Sequence, residues 1–221
     1  MFPIFSYFAS PKTNTVHIVQ TQKDNTRKVI LEVARQEFFN HGFKSASMRK
    51  IANKADVGLS NIYNYFKNKD EILRDVLTPL LTAIDKVMDA HNKPEHINTN
   101  TFTSDQYWSA HVNNYVDLIF KYREEYNLLL FKSHGSYLEN YKDEYIDKNT
   151  KIGIEYLEKM KDKYPWVNVD ISYFFIHTMS SWWLSIIGEI ISHQLNRSEI
   201  ETFFMEFAEF STAGWKKIMQ I

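Results

Sequence analysis

The sequence contains no cysteine, which excludes a disulfide framework and thiolate metal sites. It also lacks a phosphate-cradling glycine-rich loop, a G-x-S-x-G and an H-E-x-x-H, and its eight histidines do not show metal-ligand spacing. With no catalytic constellation, cofactor fingerprint or metal site, an enzyme has no residues to stand on. No stretch alternates apolar and polar residues as a strand would. Net charge is nearly absent too, at -1, which taken alone argues against a nucleic-acid partner.

That total hides an asymmetry. Residues 1–69 hold 11 Lys and Arg against 4 Asp and Glu, a net of +7, so the remainder carries -8. A basic head attracts phosphate backbones and releases their counterions, while an acidic body is repelled by the same duplex and helps orient the protein. Solvating charge is the plainer alternative. The opening MFPIFSYFAS is apolar, but it has no basic flank, contains Pro3 and is too short to span a bilayer. Residues 1–22 are therefore expected to be a flexible arm, and the location cytoplasmic. At 221 residues and 44% hydrophobic content the chain can bury a sizeable core.

From Asn25 the pattern is helical: Ile30, Ala34 and Phe38 share a stripe, and Gly42 follows where a helix should end near His41. Ser47 can cap a second helix, in which Met48, Ile51, Ala52 and Ala55 form the apolar side and Arg49, Lys50 and Lys54 the basic side. Asp56-Val57-Gly58 makes a tight break, Asp56 being able to adopt a left-handed backbone. A third helix is expected over Leu59–Phe66, with Ile62 and Phe66 inward. Asn68 then caps a long fourth helix and Glu71 can reach back to it. Its apolar spacing continues through Pro79, which should bend it and mark the junction between a head, 23–78, and a body, 79–221.

Beyond a polar loop over His91–Ser104, helical patterns return over Tyr107–Tyr122, Glu125–Tyr141 and Asp147–Lys163, so the fold class is all-α. Ile171–Ile191 is apolar over most of its circumference. A membrane span is the weaker reading, because serines, threonines and Gly188 dilute the run and no Lys/Arg cluster flanks it. A short connection leads to a last helix with Ile200, Phe203, Phe204, Phe207 and Trp215, suggesting an antiparallel pair. Two such pairs about a two-fold axis would make a homodimer, with Ile187, Gly188, Ile191, Phe203, Phe207 and Gly214 as candidate interface residues.

Three linked pieces, FFNHG (38–42), SMRKIA (47–52) and IYNYFKNK (62–69), resemble in order and spacing the tetracycline-repressor (TetR) family of bacterial transcriptional regulators. The resemblance covers about a fifth of the chain. It implies a homodimeric regulator, most simply a repressor, whose larger C-terminal domain binds a small-molecule effector. Asp56, Gly58 and Leu59 depart from the family's commoner glycine, serine and polar residue. Leu59 could meet a thymine methyl or be core.

Arg49 is the candidate for direct base readout, since its planar fork can bind guanine O6 and N7 together. Leu59, Ser60, Asn61, Tyr63 and Asn64 avoid the Ile62/Phe66 stripe and would face the major groove of double-stranded DNA. Tyr63 and Tyr65 can offer hydroxyls to phosphates, and Ser47 and Lys50 can add contacts from the second helix. Lys69 resembles the family's phosphate-clamping lysine. For an effector, partly apolar or aromatic, Trp108, His111, Tyr115, Phe131, His134, Phe175, His177 and Trp182 form a candidate set. The rival readings are a helical protein-interaction module and a membrane-associated helical protein, neither of which reads DNA.

Overall fold

The computed structural model describes the backbone of residues 13–102 and 105–221, and the side chains of 23–100 and 112–221. All regular structure among the described residues is helical. Helix α1 runs Thr13–Ser45, starting twelve residues before the expected Asn25, so the arm expected over 1–22 is helical from Thr13 and its first twelve residues lie outside the described ones. Gly42 interrupts α1 with φ 74° and ψ 164°. That backbone region is essentially restricted to glycine, so Gly42 can redirect the chain where a side chain could not.

Helix α2 (Met48–Lys54) begins as expected at Ser47, whose hydroxyl oxygen accepts from Lys50 N. Asp56 takes the left-handed conformation with φ 53°. Helix α3 is shorter than its pattern suggested: Leu59–Ile62, followed by a tightened turn in which Asn64 N and Tyr65 N donate back three residues. Gly58 supplies no side-chain cap, and a four-residue helix has little propagation to offset nucleation. Tertiary burial holds it instead. Ile30, Ala34, Phe38, Ile51, Ala52 and Ile62 are wholly buried together, each large aliphatic or aromatic one contributing about 1.5–3 kcal/mol.

Helix α4 (Lys69–His91) is capped by Asn68, while Glu71 accepts from Lys67 N. It continues through Pro79, which faces solvent. The body adds α5 (Asp105–Lys121) and α6 (Arg123–Asn127), which widens into a π-helical turn over Leu128–Lys132. The expected helix Glu125–Tyr141 stops there, because Ser133–Asn140 is a run of turns with Gly135 at φ 79°. Helix α7 therefore starts early, at Tyr141, and ends at Lys163.

Helices α8 (Tyr173–Ser192) and α9 (Arg197–Met219) complete the body, α9 opening on a capping box between Asn196 and Glu199. By length and composition α8 could cross a membrane, but Ile176, Leu184, Ile187, Ile190 and Ile191 are buried in the protein interior. The two are antiparallel, Trp183 meeting Phe204 and Phe175 meeting Trp215, yet their backbones are held apart by these rings. Helix α8 packs most closely on α7 and α9 on α5. Gly153 permits the first approach: a Cβ there would sit 2.9 Å from Ile176 Cγ2. Head and body share one continuous hydrophobic cluster, with a second at the far end around Tyr156, Met160, Val167 and Met219.

Candidate functional site

The head presents one polar surface. Ile62 and Phe66 are buried, and this turns Ser60, Asn61, Tyr63 and Asn64 outward, all exposed, with Asn64 Nδ2 donating to Asn61 Oδ1 at 2.8 Å. That bond preorganises two amides side by side on the recognition segment. Leu59 is also exposed, which decides between its two options: it is not core. Arg49 projects freely from the start of α2, and Lys50 is exposed beside it. Tyr63 is exposed and Tyr65 half-buried against the head core.

Lys69, the candidate phosphate clamp, is half-buried at the start of α4. Its ammonium donates to the carbonyls of Phe43 at 2.6 Å and Ala46 at 2.8 Å, and lies 4.1 Å from the Phe43 ring centre. Its pKa is lowered, first by loss of solvation. Two of its three N–H groups therefore close the end of α1, and one remains for a phosphate. Glu37 is buried and pairs with Lys54 at 2.5 Å.

An outward amide, hydroxyl and arginine set on a buried helix-turn-helix can read base edges and phosphates together. Residues 30–76 match the model of bacterial regulatory proteins, tetR family. The similarity to the tetR family lies in this region of the chain. The tetR-type head is 37% identical over 68 residues to the HTH-type transcriptional regulator YhgD of Bacillus subtilis, covering 31% of this chain and 36% of that one. It is 30% identical over 78 residues to the HTH-type transcriptional repressor KstR2 of Mycolicibacterium smegmatis, covering 34% and 38%. The matches thus span little more than a third of these curated relatives, which are transcriptional regulators and not enzymes. A TetR-like transcriptional regulator from Rhodococcus shares the fold over 86% of this chain and 96% of its own, with a TM-score of 0.58 and 14% identity.

Beneath the tetR-type head, the body holds a partly open cavity of about 290 Å³ between α4, α5, α7, α8 and α9. Tyr115, Tyr145, Tyr156, Trp183, Phe207 and Trp215 supply its aromatic walls. Of the candidate effector residues, Tyr115 and Trp182 line it. Phe131 is half exposed under Lys142, His134 pairs with Glu139 at the surface, Phe175 packs edge-on to Trp215, and His177 stacks on Tyr173; none of these four lines the cavity. The side chains of Trp108 and His111 lie outside the described residues.

The candidate dimer residues divide as well. Ile187 and Ile191 face the protomer's own interior, and Gly188 lies under the Phe131 ring, 3.4 Å from where its Cβ would be. Phe203 and Phe207 are half-buried against Phe204 and Trp183, and Phe207 lines the cavity. Gly214 alone of the six is exposed with open space around it. The apolar groups that α8 and α9 leave outside are instead Phe174, Trp182, Met205 and Phe210. On α8, periodicity did not mark Phe174 and Trp182 as outward because that helix is apolar nearly all round, so no face stands out as the inner one. Tyr145 and Tyr156 were missed for the opposite reason, lying on the charged helix α7.

Proposed function

We propose that the chain is a ligand-responsive transcriptional regulator, a repressor, that binds a pseudo-palindromic operator as a homodimer and is released by a small molecule held in the body cavity. The observation that carries this reading is the outward set Arg49, Ser60, Asn61, Tyr63 and Asn64 within residues 1–69, which carry a net charge of +7. The relative named a repressor supports the sign of regulation. The exposed Trp182 of α8 and Phe210 of α9, whose rings meet edge-on at 5.9 Å, support the dimer, since an apolar pair bridging two adjacent helices is what a second copy would cover. In a dimer the two heads would engage half-sites about one helical turn, roughly 34–36 Å, apart.

Effector control would run through elements linking cavity and head. Helix α4 lines the cavity with Val87 and Met88 and begins at Lys69 in the head. Helix α6 does not line the cavity but packs on α8, which does, and with its π turn it holds α1 through Glu125, which pairs with Arg35 at 2.6 Å, and Lys132, which donates to Phe39 O at 2.6 Å. A ligand that prefers one arrangement of α4 and α6 shifts the head spacing, and operator affinity falls because both half-sites can no longer be met. Selection of bound DNA from a random pool tests the reading. Enrichment of a two-fold symmetric site with a steep salt dependence is expected; recovery of no preferred sequence overturns it.

A further inference from the structure

We propose that the body cavity takes an uncharged two-ring aromatic molecule bearing a hydroxyl group, the hydroxyl meeting Asn149. This deepens the reading of the cavity as the effector site and rests on it.

Charge decides the first part. None of the described residues lining the cavity is Asp, Glu, Lys or Arg. Among the described lining residues, the one group that titrates near neutral pH is His91, packed on Tyr156 with ring centres 4.9 Å apart. Loss of solvation, and then the neighbouring His96, lower its pKa, so it is neutral at pH 7.5. A carboxylate or ammonium entering this space would lose hydration and find no counter-charge among the described lining residues, a loss that a neutral molecule does not suffer.

Shape and polarity decide the rest. Trp183 presents its ring edge-on to Tyr115 at 5.5 Å and lies 5.8 Å from Phe207, so the walls offer both ring faces and ring edges. An apolar cavity on the order of 150 Å³ accommodates benzene; one of about 290 Å³ suits two rings. The polar corner is Asn149 and Ser180. The Ser180 hydroxyl donates to Ile176 O at 3.0 Å, so its oxygen can only accept from Asn149, whose Nδ2 lies 3.2 Å away. That orients the amide. Its oxygen and second N–H remain as an acceptor and a donor. A hydroxyl, which both donates and accepts, is the small neutral group that complements a carboxamide.

The test is calorimetric titration of the full chain at pH 7.5 with three isosteres, 2-naphthol, 2-naphthoate and 2-naphthylmethylammonium. The neutral molecule is expected to saturate the protein, and both ions to bind at least ~100-fold more weakly. Asn149→Leu should weaken naphthol about tenfold while leaving naphthalene unchanged. Ser211→Phe, which fills the cavity from α9, should abolish binding with the far-UV spectrum retained. An ion binding as tightly as naphthol, failure of naphthol to saturate, or insensitivity to both variants overturns the proposal. If binding follows the expected pattern but operator affinity does not change, the ligand class stands and the effector reading falls.

Discussion

The buried carboxylate of Glu37 in α1 accepts a hydrogen bond from Lys54 Nζ in α2 at 2.5 Å, a bond that sets the angle between the first two helices of the head. The Glu37 pKa is lowered, chiefly by that bond, against a smaller opposing loss of solvation. Because the folded value lies below the unfolded one, the pair contributes stability above the ordinary value of 4.5, and the contribution is lost as pH falls through the lowered value. Lys54→Met should cost roughly 1–3 kcal/mol by leaving the carboxylate without its partner. Thermal melts from pH 7 to pH 3 check this: the gap between the variant and the parent should close in acid. A gap independent of pH would remove the ion pair as its cause.

Arg49 and Lys69 should separate in kind as well as in size. Arg49→Ala is expected to weaken operator binding by about 1–3 kcal/mol, to relax preference at one base pair and to leave the melting temperature unchanged, because Arg49 is exposed. Lys69→Ala should weaken all sequences alike and also lower the melting temperature, since the carbonyls of Phe43 and Ala46 lose their donor. Binding titrations on an operator and its point variants, beside melts, check both halves.

Substitutions on the two sides of α8 should have opposite signatures. Phe174→Glu and Phe210→Glu, at outward positions, are expected to convert a dimer to a folded monomer in sedimentation. Ile187→Ala, inside the protomer, should instead cost about 2–5 kcal/mol in denaturant unfolding with association retained. Dissociation by Ile187→Ala alone would return that residue to the interface.

Gly42→Ala should destabilise the head by about 1–3 kcal/mol, because its backbone lies where only glycine is at ease. The new methyl would also press on the π turn, its Cβ lying 3.4 Å from Lys132 O. Hydrogen exchange should then quicken at the end of α1 and over Leu128–Lys132 together. Exchange confined to α1 would show that the two segments are not coupled.

Much of the head was legible in order. The caps at Ser47 and Asn68, the left-handed Asp56 and the inward Ile62 and Phe66 are local matters, set by side chains within a few residues of one another. Outward placement of Ser60, Asn61, Tyr63 and Asn64 follows directly once the inward pair is known. The body was legible only as helices, and one of those, Glu125–Tyr141, breaks at turns that an aromatic-rich pattern concealed.

By itself the sequence determined an all-helical chain with a basic helix-turn-helix head, because periodicity, caps and charge act over one or two helical turns. The tertiary structure alone decided which apolar residues became core, cavity or outer face, and which charges were drawn into pairs. Phe207 lines the cavity, Ile187 is core and Phe210 faces outward, although all three have the same apolar character in sequence. Glu37 and Lys69 found partners 17 and 26 residues away. Hydrophobicity says that a side chain leaves water; the neighbours it leaves water for come from helices distant in the chain.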